Sequence, residues 1–564
     1  MSDNPQELGD VDNLLYDKMV IPIPGAKYSK QYRYGDWDGL IHFYNKTDHS
    51  IPSGHLSWCQ NIILASDIGT NFKVLDNRPD KFVDIKDIPD HIELKNGDST
   101  ISLRDYQVQA VKSIFENTRG VVNLTVNAGK TEVAAAAIKY IYDKLEPDER
   151  VLFFAGNKQI YTQTVARLKK RLGVEIGEYS ATKKLLRKVT VCMIQSVESA
   201  IKVDPEQNLT LSAKERIYKK IKYTYLPRFS GQENPSAALA SFVSLYTPKT
   251  KADESIKKLL AEISKSTIND HDVLATLKQY ADKYDDVVDK KAHDKVKKKK
   301  YINDLLSSAV MIIGDECQHT RSNTWYDVFM SCTNALYRVG LSGTVDKQDE
   351  SLTYRLKAVF GGIISKFSNE QAINRGISAR PTIILTPIKS PEGLSSEKNW
   401  AVVYKEGIVE NEYRNKAIAA FCKKFYEKGK SVLVMVNQIK HGENIGAILD
   451  RVKVPYQMIH GDQDNELQAK EKDDFESGKN KILIATSVLN EGVDIANINV
   501  LVQAAGGKSF VQTIQRTGRV LRKKTRGANI ATVVDFIDYQ SPYLYRHSQA
   551  RKNLYEEQGF KVVK

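Results

Sequence analysis

Apolar residues in this chain gather into short strand-like runs separated by helical sequence. "VLFFAG" (151–156), "VTVCMI" (189–194), "AVMIIGDE" (309–316) and "YRVGLSGT" (337–344) form one series. "TIILTP" (382–387), "SVLVMVN" (431–437), "KILIATS" (481–487), "NVLVQAA" (499–505) and "ATVVDF" (531–536) form a second. Apolar runs of this length, alternating with helices, predict parallel sheets buried on both faces. Two α/β domains in tandem are therefore expected, over residues 96–382 and 383–564.

Two segments break the rhythm. Residues 1–95 are rich in turn residues and aromatics ("YGDWDGLIHFYN", "IPSGHLSW"), with β-like runs "NIILAS" and "FKVL", and predict a small separate α+β domain. Residues 201–304 are lysine-rich and helical, ending in "KKAHDKVKKKKYIND", and predict a largely helical insertion in the first α/β domain. Its stretch "ERIYKKIKYTYLPRF" (215–229) can pair cations with phosphates and aromatics with bases, or form a solvated helical hairpin.

The composition, 41% hydrophobic and 27% charged over 564 residues, is that of a globular protein able to bury several cores. The chain has no run of 18 apolar residues, and its polar start lacks the regions of a signal peptide, so a cytosolic location is expected. Five scattered cysteines without a Cys-x-x-Cys pair argue against a disulfide framework, a zinc ribbon or an iron–sulfur cluster. A net charge of +14 favours a polyanionic partner, nucleic acid before membrane.

The candidate chemistry begins at "NLTVNAGKTEVAAAAIKYIY" (123–142), where a strand, a tight turn and a helix surround Gly129, Lys130 and Thr131. A full phosphate-binding loop has Gly where this chain has Leu124, and the triplet alone also suits an ordinary helix start. Asn127 enters left-handed backbone space more readily than most residues and can take a turn position usually held by Gly. Further along, "AVMIIGDECQHT" places two carboxylates at the carboxyl end of a buried strand, where α/β sheets bind ligands. Asp315 is suited to hold Mg²⁺ beside Thr131, and Glu316 to deprotonate the water that attacks a γ-phosphate; a helix-capping pair is the plainer alternative. In the second domain "QTIQRTGRVLR" (512–522) sets Arg519 and Arg522 on one helical face with Gln515 close by. Arginines reaching a nucleotide held by Lys130 would stabilise transition-state charge and tie hydrolysis to opening of the cleft between domains.

In this order the elements resemble those of helicase superfamily two over nearly the whole chain. "LRDYQ" (103–107) resembles the Q motif, "NAGKT" motif I, "FFAGNKQIYTQ" (153–163) motif Ia and "IQSV" (194–197) motif Ic. "DECQ" (315–318) resembles motif II, "LSGT" (341–344) motif III, "VLVMVNQIKHGE" (432–443) motif IV, "ATSVLNEGVDI" (485–495) motif V and "QRTGRVLR" motif VI. The resemblance implies two RecA-like domains, ATP and Mg²⁺ as cofactors, and a nucleotide site of Arg104, Gln107, Asn127, Ala128, Gly129, Lys130, Thr131 and Asp494. In it Gln107 would read adenine with support from Arg104. It also implies that Gln318, Ser342, Thr344 and Gly492 couple the sites, and that Lys158, Gln195, Ser196 and Thr486 grip a DNA strand.

Within the superfamily the resemblance is strongest to the UvsW-type branched-DNA helicases of tailed phages. It rests on "WDGLIHFYNKTDHSIPSGHL", "FGGIISKFSNEQAINRGISARP" (360–381) and "DFIDYQSPYLYRHSQARKNLYEEQGF". That family implies an N-terminal DNA-binding domain and ATP-driven remodelling of forks and four-way junctions. The partners it implies are branched or duplex DNA, single-stranded DNA, and recombination or replication proteins, in the host cytoplasm. Departures are Gln318 where many relatives have His, Asn127 in motif I, and the insertion. An RNA helicase with the same motor core is the alternative.

Overall fold

The computed structural model describes residues 5–66, 73–76, 78, 80, 82–202, 212–248, 250–267, 269–343, 350–389, 394–486, 498–509, 513, 516–518 and 529–563. The chain forms two compact units, Ser199–Leu305 and the remainder.

In the remainder, two short antiparallel strands, β1 (Val20–Pro22) and β2 (Leu40–His42), stand between the helices Pro5–Lys18 and Leu56–Leu64. Leu15, Met19, Ile21, Phe43, Tyr44 and Cys59 bury together with Ala358. "NIILAS" is largely helix, because Trp58, Cys59, Ile62 and Ile63 recur at helical spacing and face that cluster. Of "FKVL", Lys73–Leu75 adopt no regular structure; Val74 is 44% exposed and Leu75 69%, so neither has a core to join. Phe72 lies outside the described residues. Gly54 touches the helix Glu350–Phe360 so closely that a Cβ there would stand 1.8 Å from the Lys357 carbonyl oxygen. A hairpin of β3 (Glu93–Asn96) and β4 (Ser99–Ser102) follows.

The first large sheet has eight strands, β5 (Arg119–Leu124), β6 (Arg150–Ala155), β7 (Gly177–Tyr179), β8 (Lys184–Leu185), β9 (Val189–Met193), β10 (Ala309–Asp315), β11 (Tyr337–Ser342) and β12 (Ile363–Phe367). They lie in the order β12-β5-β11-β10-β6-β9-β7-β8, and the pairings are parallel except that of β7 with β8. Because β11 lies between β5 and β10, the carboxyl ends of three neighbouring strands converge. Asp315 pairs in register with Leu341, and Ser342 with Asn123. Gly314 lets the helix Asn323–Met330 press onto the sheet, since a Cβ there would meet the Phe329 ring at 2.6 Å.

The second sheet is wholly parallel: β13 (Arg380–Ile388), β14 (Val432–Met435), β15 (Gln457–Ile459), β16 (Ile482–Ala485), β17 (Val500–Val502), β18 (Ile530–Asp538) and β19 (Lys561–Val563), in the order β15-β16-β14-β17-β18-β13-β19. Two buried ion pairs brace its carboxyl end: Arg414 Nε to Asp538 Oδ1 at 3.0 Å, and Arg551 to both Asp535 oxygens at 2.8 and 2.9 Å. The expected α/β class, with two parallel sheets in tandem, is what the chain adopts.

The unit Ser199–Leu305 is helical, built from Ala213–Lys220, Pro235–Leu245, Lys251–Ser266 and most of the long helix Asp270–Ser307. It has its own core of Ile221, Tyr225, Phe229, Leu239, Ile256, Leu260, Ile263, Val273 and Leu277. No helix among the described residues is long and apolar enough to cross a membrane.

Candidate nucleotide site

The turn after β5 has the backbone of a phosphate cradle. Asn127 (φ 70°) and Gly129 (φ 82°) are both left-handed, and the helix Lys130–Tyr142 starts directly behind them. A helix N-terminus with free amides favours an anion. The Asn127 side-chain Nδ2 is buried without a hydrogen-bond partner, a donor suited to a phosphate oxygen. Gly129 is sterically required as well, because a Cβ there would stand 2.2 Å from Gln107 Nε2.

Gln107 locks the turn from the helix Asp105–Asn117. Its Nε2 donates to the Ala128 carbonyl at 2.8 Å, and its Oε1 accepts from the Arg104 backbone N–H at 2.8 Å. Tyr106, which the sequence reading passed over, donates its hydroxyl to the same Ala128 carbonyl at 2.9 Å. The Tyr106 ring stacks flat on Phe367, centroids 3.8 Å apart, and Arg375 covers both rings while pairing with Asp105 at 2.7 Å. Phe367 and Arg375 are more than 250 residues distant in sequence, so no local pattern announces them.

Across the strand ends, Lys130 Nζ meets Glu316 Oε1 at 3.2 Å. Glu316 Oε2 accepts from Gln318 Nε2 at 2.7 Å, and Gln318 Oε1 accepts from the Ser342 hydroxyl at 2.7 Å. A continuous polar chain thus joins the ends of β5, β10 and β11. Glu316 itself is left-handed (φ 50°), a strained conformation for a carboxylate residue and one that recurs at functional sites. Burial pushes the Asp315 carboxyl up to about 6, against the pull of Lys130. Burial also acts on Glu316, but the charge of Lys130 and the bonds from Gln318 and Lys130 outweigh it and hold that carboxyl below its usual range. Lys130 is raised, since Glu316 and Asp315 outweigh its own burial.

These donors fit Mg²⁺. Asp315 and the Thr131 hydroxyl are hard oxygen ligands, and Mg²⁺ with phosphates and water needs only one or two such groups from a protein. No cluster of three or more His, Cys, Asp or Glu side chains that would suit a fully protein-coordinated metal occurs among the described residues.

The second domain reaches the same place. Gly518 stands against Val126, at the edge of the phosphate turn, so closely that a Cβ would lie 2.7 Å from its side chain. Next to it Arg516 is buried and donates to Asn437 Oδ1 at 2.8 Å. On the other flank Asn369 accepts from the Thr125 hydroxyl and donates to Gln558 Oε1 at 2.7 Å. Gln515, Arg519, Arg522, Thr344, Gly492 and Asp494 lie outside the described residues.

Of the expected strand-gripping residues, Lys158 is exposed at the start of the helix Lys158–Leu172. Gln195 is exposed with its Nε2 on the Gly156 carbonyl at 2.6 Å, and Ser196 is half-buried in the same helix, Ile194–Ile201. Thr486 is only 6% exposed. The structure gathers the first three near the ends of β6 and β9 and leaves Thr486 covered.

Comparison with known proteins finds helicase families. Residues 100–224 match the family described as type III restriction enzyme, res subunit, and residues 414–524 match the helicase conserved C-terminal domain. The chain carries superfamily 2 helicase domains. The ATP-dependent DNA helicase uvsW of Enterobacteria phage T4 is 26% identical over 274 residues, 45% of this chain and 54% of that protein. The pre-mRNA-splicing ATP-dependent RNA helicase PRP28 of Debaryomyces hansenii is 33% identical over 106 residues, 19% of this chain and 18% of its own. The match therefore spans about half or less of either relative. The crystal structure of T4 UvsW superposes with a TM-score of 0.38 at 18% identity, covering 98% of this chain and 95% of that one.

Proposed function

We propose that these helicase domains form an ATP-driven motor that remodels branched DNA, regressing forks and migrating four-way junctions. The observation that carries the ATPase is the polar chain Lys130–Glu316–Gln318–Ser342 beside a left-handed phosphate turn. Lys130 and the turn amides would hold the β- and γ-phosphates, and Gln107 with Arg104 the adenine. Mg²⁺ between Asp315 and Thr131 would neutralise phosphate charge. Glu316 would accept a proton from water as its oxygen attacks the γ-phosphorus and the bond to the ADP oxygen breaks. Arg519 and Arg522, with Gln515, would stabilise charge on the transferring group.

The ion pair suggests how binding primes the base. Without a nucleotide Lys130 neutralises Glu316; once a γ-phosphate shares the Lys130 charge, Glu316 becomes more basic. Gly492 and Asp494 would transmit this state, and Lys158, Gln195 and Ser196 would hold a strand by its backbone, giving structure-selective rather than sequence-specific binding. The small domain within residues 1–95 would contribute further DNA contacts. The substrate assignment rests on the similarity to a phage DNA helicase over 45% of the chain.

A second reading, an RNA helicase, is favoured by the shorter match to PRP28. Steady-state ATPase with single-stranded DNA, duplex, four-way junction and RNA separates the two, with Lys130→Ala as blank. Strongest stimulation by the junction supports branch remodelling; stimulation by RNA alone refutes the DNA assignment while keeping the motor.

A further inference from the structure

The long helix Asp270–Ser307 is divided in charge. From Asp270 to Asp289 it has six carboxylates against two lysines; from Lys290 to Ser307 it has seven lysines against Asp294 and Asp304. The acidic half serves the helical core through Val273, Leu277 and Ala281, which are buried. Between residues 285 and 301 no side chain is fully buried, over a length of about 25 Å. Packing along this rod is partial, with Val287, Val288 and Ala292 half-buried.

Five of its lysines gain nothing from ion pairs. Asp285 is held by Lys222, and Lys291 by Glu215, but Lys290, Lys297, Lys298, Lys299 and Lys300 make no ion pair among the described residues. Lysines three and four apart on one helix repel, as Lys297 and Lys300 must, and the benefit of a cation near a helix C-terminus fades within the last turn, which these lysines precede. Lys290, His293, Lys297 and Lys300 are all exposed and fall within an arc of about 80° on one face. Their row is about 15 Å long. A polyanion laid along it turns mutual repulsion into attraction.

We propose that this lysine row is a second nucleic-acid contact, one that holds the phosphate backbone of duplex DNA. It deepens the motor reading above and rests on it for the choice of polyanion. Tyr301, half-buried at the end of the row, is the one Phe, Tyr or Trp from residue 285 to 301, too few for a platform that stacks successive bases of a single strand. What it offers is charge at intervals, which suits the backbone of a duplex whatever its sequence.

The test uses the full-length protein with Lys290, Lys297 and Lys300 changed to Gln, and a second variant with the same three changed to Arg. Binding to a short duplex and to a four-way junction is measured by fluorescence anisotropy without ATP, across roughly 50–200 mM salt. Each lysine that neutralises one phosphate contributes about 0.9 to the slope of log affinity against log salt. The Gln variant is expected to bind duplex with a slope shallower by about 2 or more, the Arg variant to match wild type, and basal ATPase to stay unchanged in both. An unchanged slope in the Gln variant overturns the proposal. So does a loss confined to phosphatidylserine vesicles, which would make the row a membrane contact. If the slope shifts as expected but no nucleic acid stimulates wild-type ATPase, the contact stands and the motor reading fails.

Discussion

Replacing Gln318 with Leu keeps the side-chain volume and removes both polar links, 2.7 Å to Glu316 and 2.7 Å to Ser342. Gln318 is 5% exposed, so water does not simply take its place. A hydrogen bond to a charged group contributes about 1.5–3 kcal/mol, and if it fixes the base only as the water is attacked, kcat falls roughly 10- to 100-fold. KM for ATP should change little, because Gln318 bonds to no residue of the phosphate turn. The pH profile provides a signature that loss of fold would not produce. Gln318 is one of the groups holding the Glu316 carboxyl below its usual range, so its removal raises that pKa and moves the acidic limb of kcat to higher pH. The assay is steady-state ATPase with saturating junction DNA from pH 5 to 8, alongside a thermal melt. A variant that melts like wild type and keeps its kcat would refute the assignment of Glu316 as the base held by Gln318; a raised KM with normal kcat would place Gln318 in nucleotide binding instead.

Lys130→Ala should abolish measurable ATP turnover while leaving nucleic-acid affinity detectable by anisotropy; retained turnover would remove the phosphate-loop assignment. Glu316→Gln should bind ATP and fail to hydrolyse it, read as trapped radiolabelled ATP against absent phosphate release. Acid should destabilise the fold through His55 and His441. Burial and the Lys357 charge bring His55 down to about 4, and burial with the Arg414 charge holds His441 far below its ordinary value. Both pKa values are depressed below the unfolded value of about 6.5, so the loss begins as pH falls through 6.5 and reaches about 2 kcal/mol for each at pH 5. Urea midpoints should show this, and His55→Phe, which suits the edge-on packing with Phe43 and Trp58, should flatten the slope between pH 7 and 5. Arg551→Met should cost about 3–5 kcal/mol by stranding the buried Asp535 carboxylate, with much of the loss recovered in Arg551→Met/Asp535→Asn.

The fold was readable where burial is two-sided. β6, β9, β10, β14 and β16 are almost entirely buried, so their sequences are predominantly apolar runs that stand out from the helices between them. β12 escaped because it is an edge strand, IISKF, whose exposed Ile363 and polar interior carry no such run. The phosphate turn was readable because Gly129, Lys130 and Thr131 are contiguous. The Tyr106–Phe367–Arg375 stack and the Asn369 link were not, since each joins residues hundreds of positions apart and neither side has a pattern of its own. In the N-terminal segment "NIILAS" read as β because it is short and apolar, whereas it ends a helix that packs with Ala358.

The phosphate turn is held from both flanks by the second half of the chain. Val126, one residue before the left-handed Asn127, is covered by Gly518 of motif VI, where no larger side chain fits. Thr125, one residue earlier, bonds to Asn369, which bonds in turn to Gln558 at the end of the last helix. Two consecutive residues are therefore tied to two different parts of the second domain, Val126 directly by Gly518 and Thr125 through Asn369 to Gln558. A change in the turn when a γ-phosphate arrives must be accommodated at both contacts, and packed contacts rearrange in discrete steps rather than by continuous yielding. Separating hydrolysis from movement should then be possible by relaxing only one of them. Asn369→Ala removes the polar link to Gln558 while leaving Lys130, Glu316 and Gln318 in place. The expected result is ATP turnover close to wild type in the absence of nucleic acid, with its stimulation by junction DNA reduced. Equal loss of basal and stimulated turnover would mean that Asn369 only supports the turn.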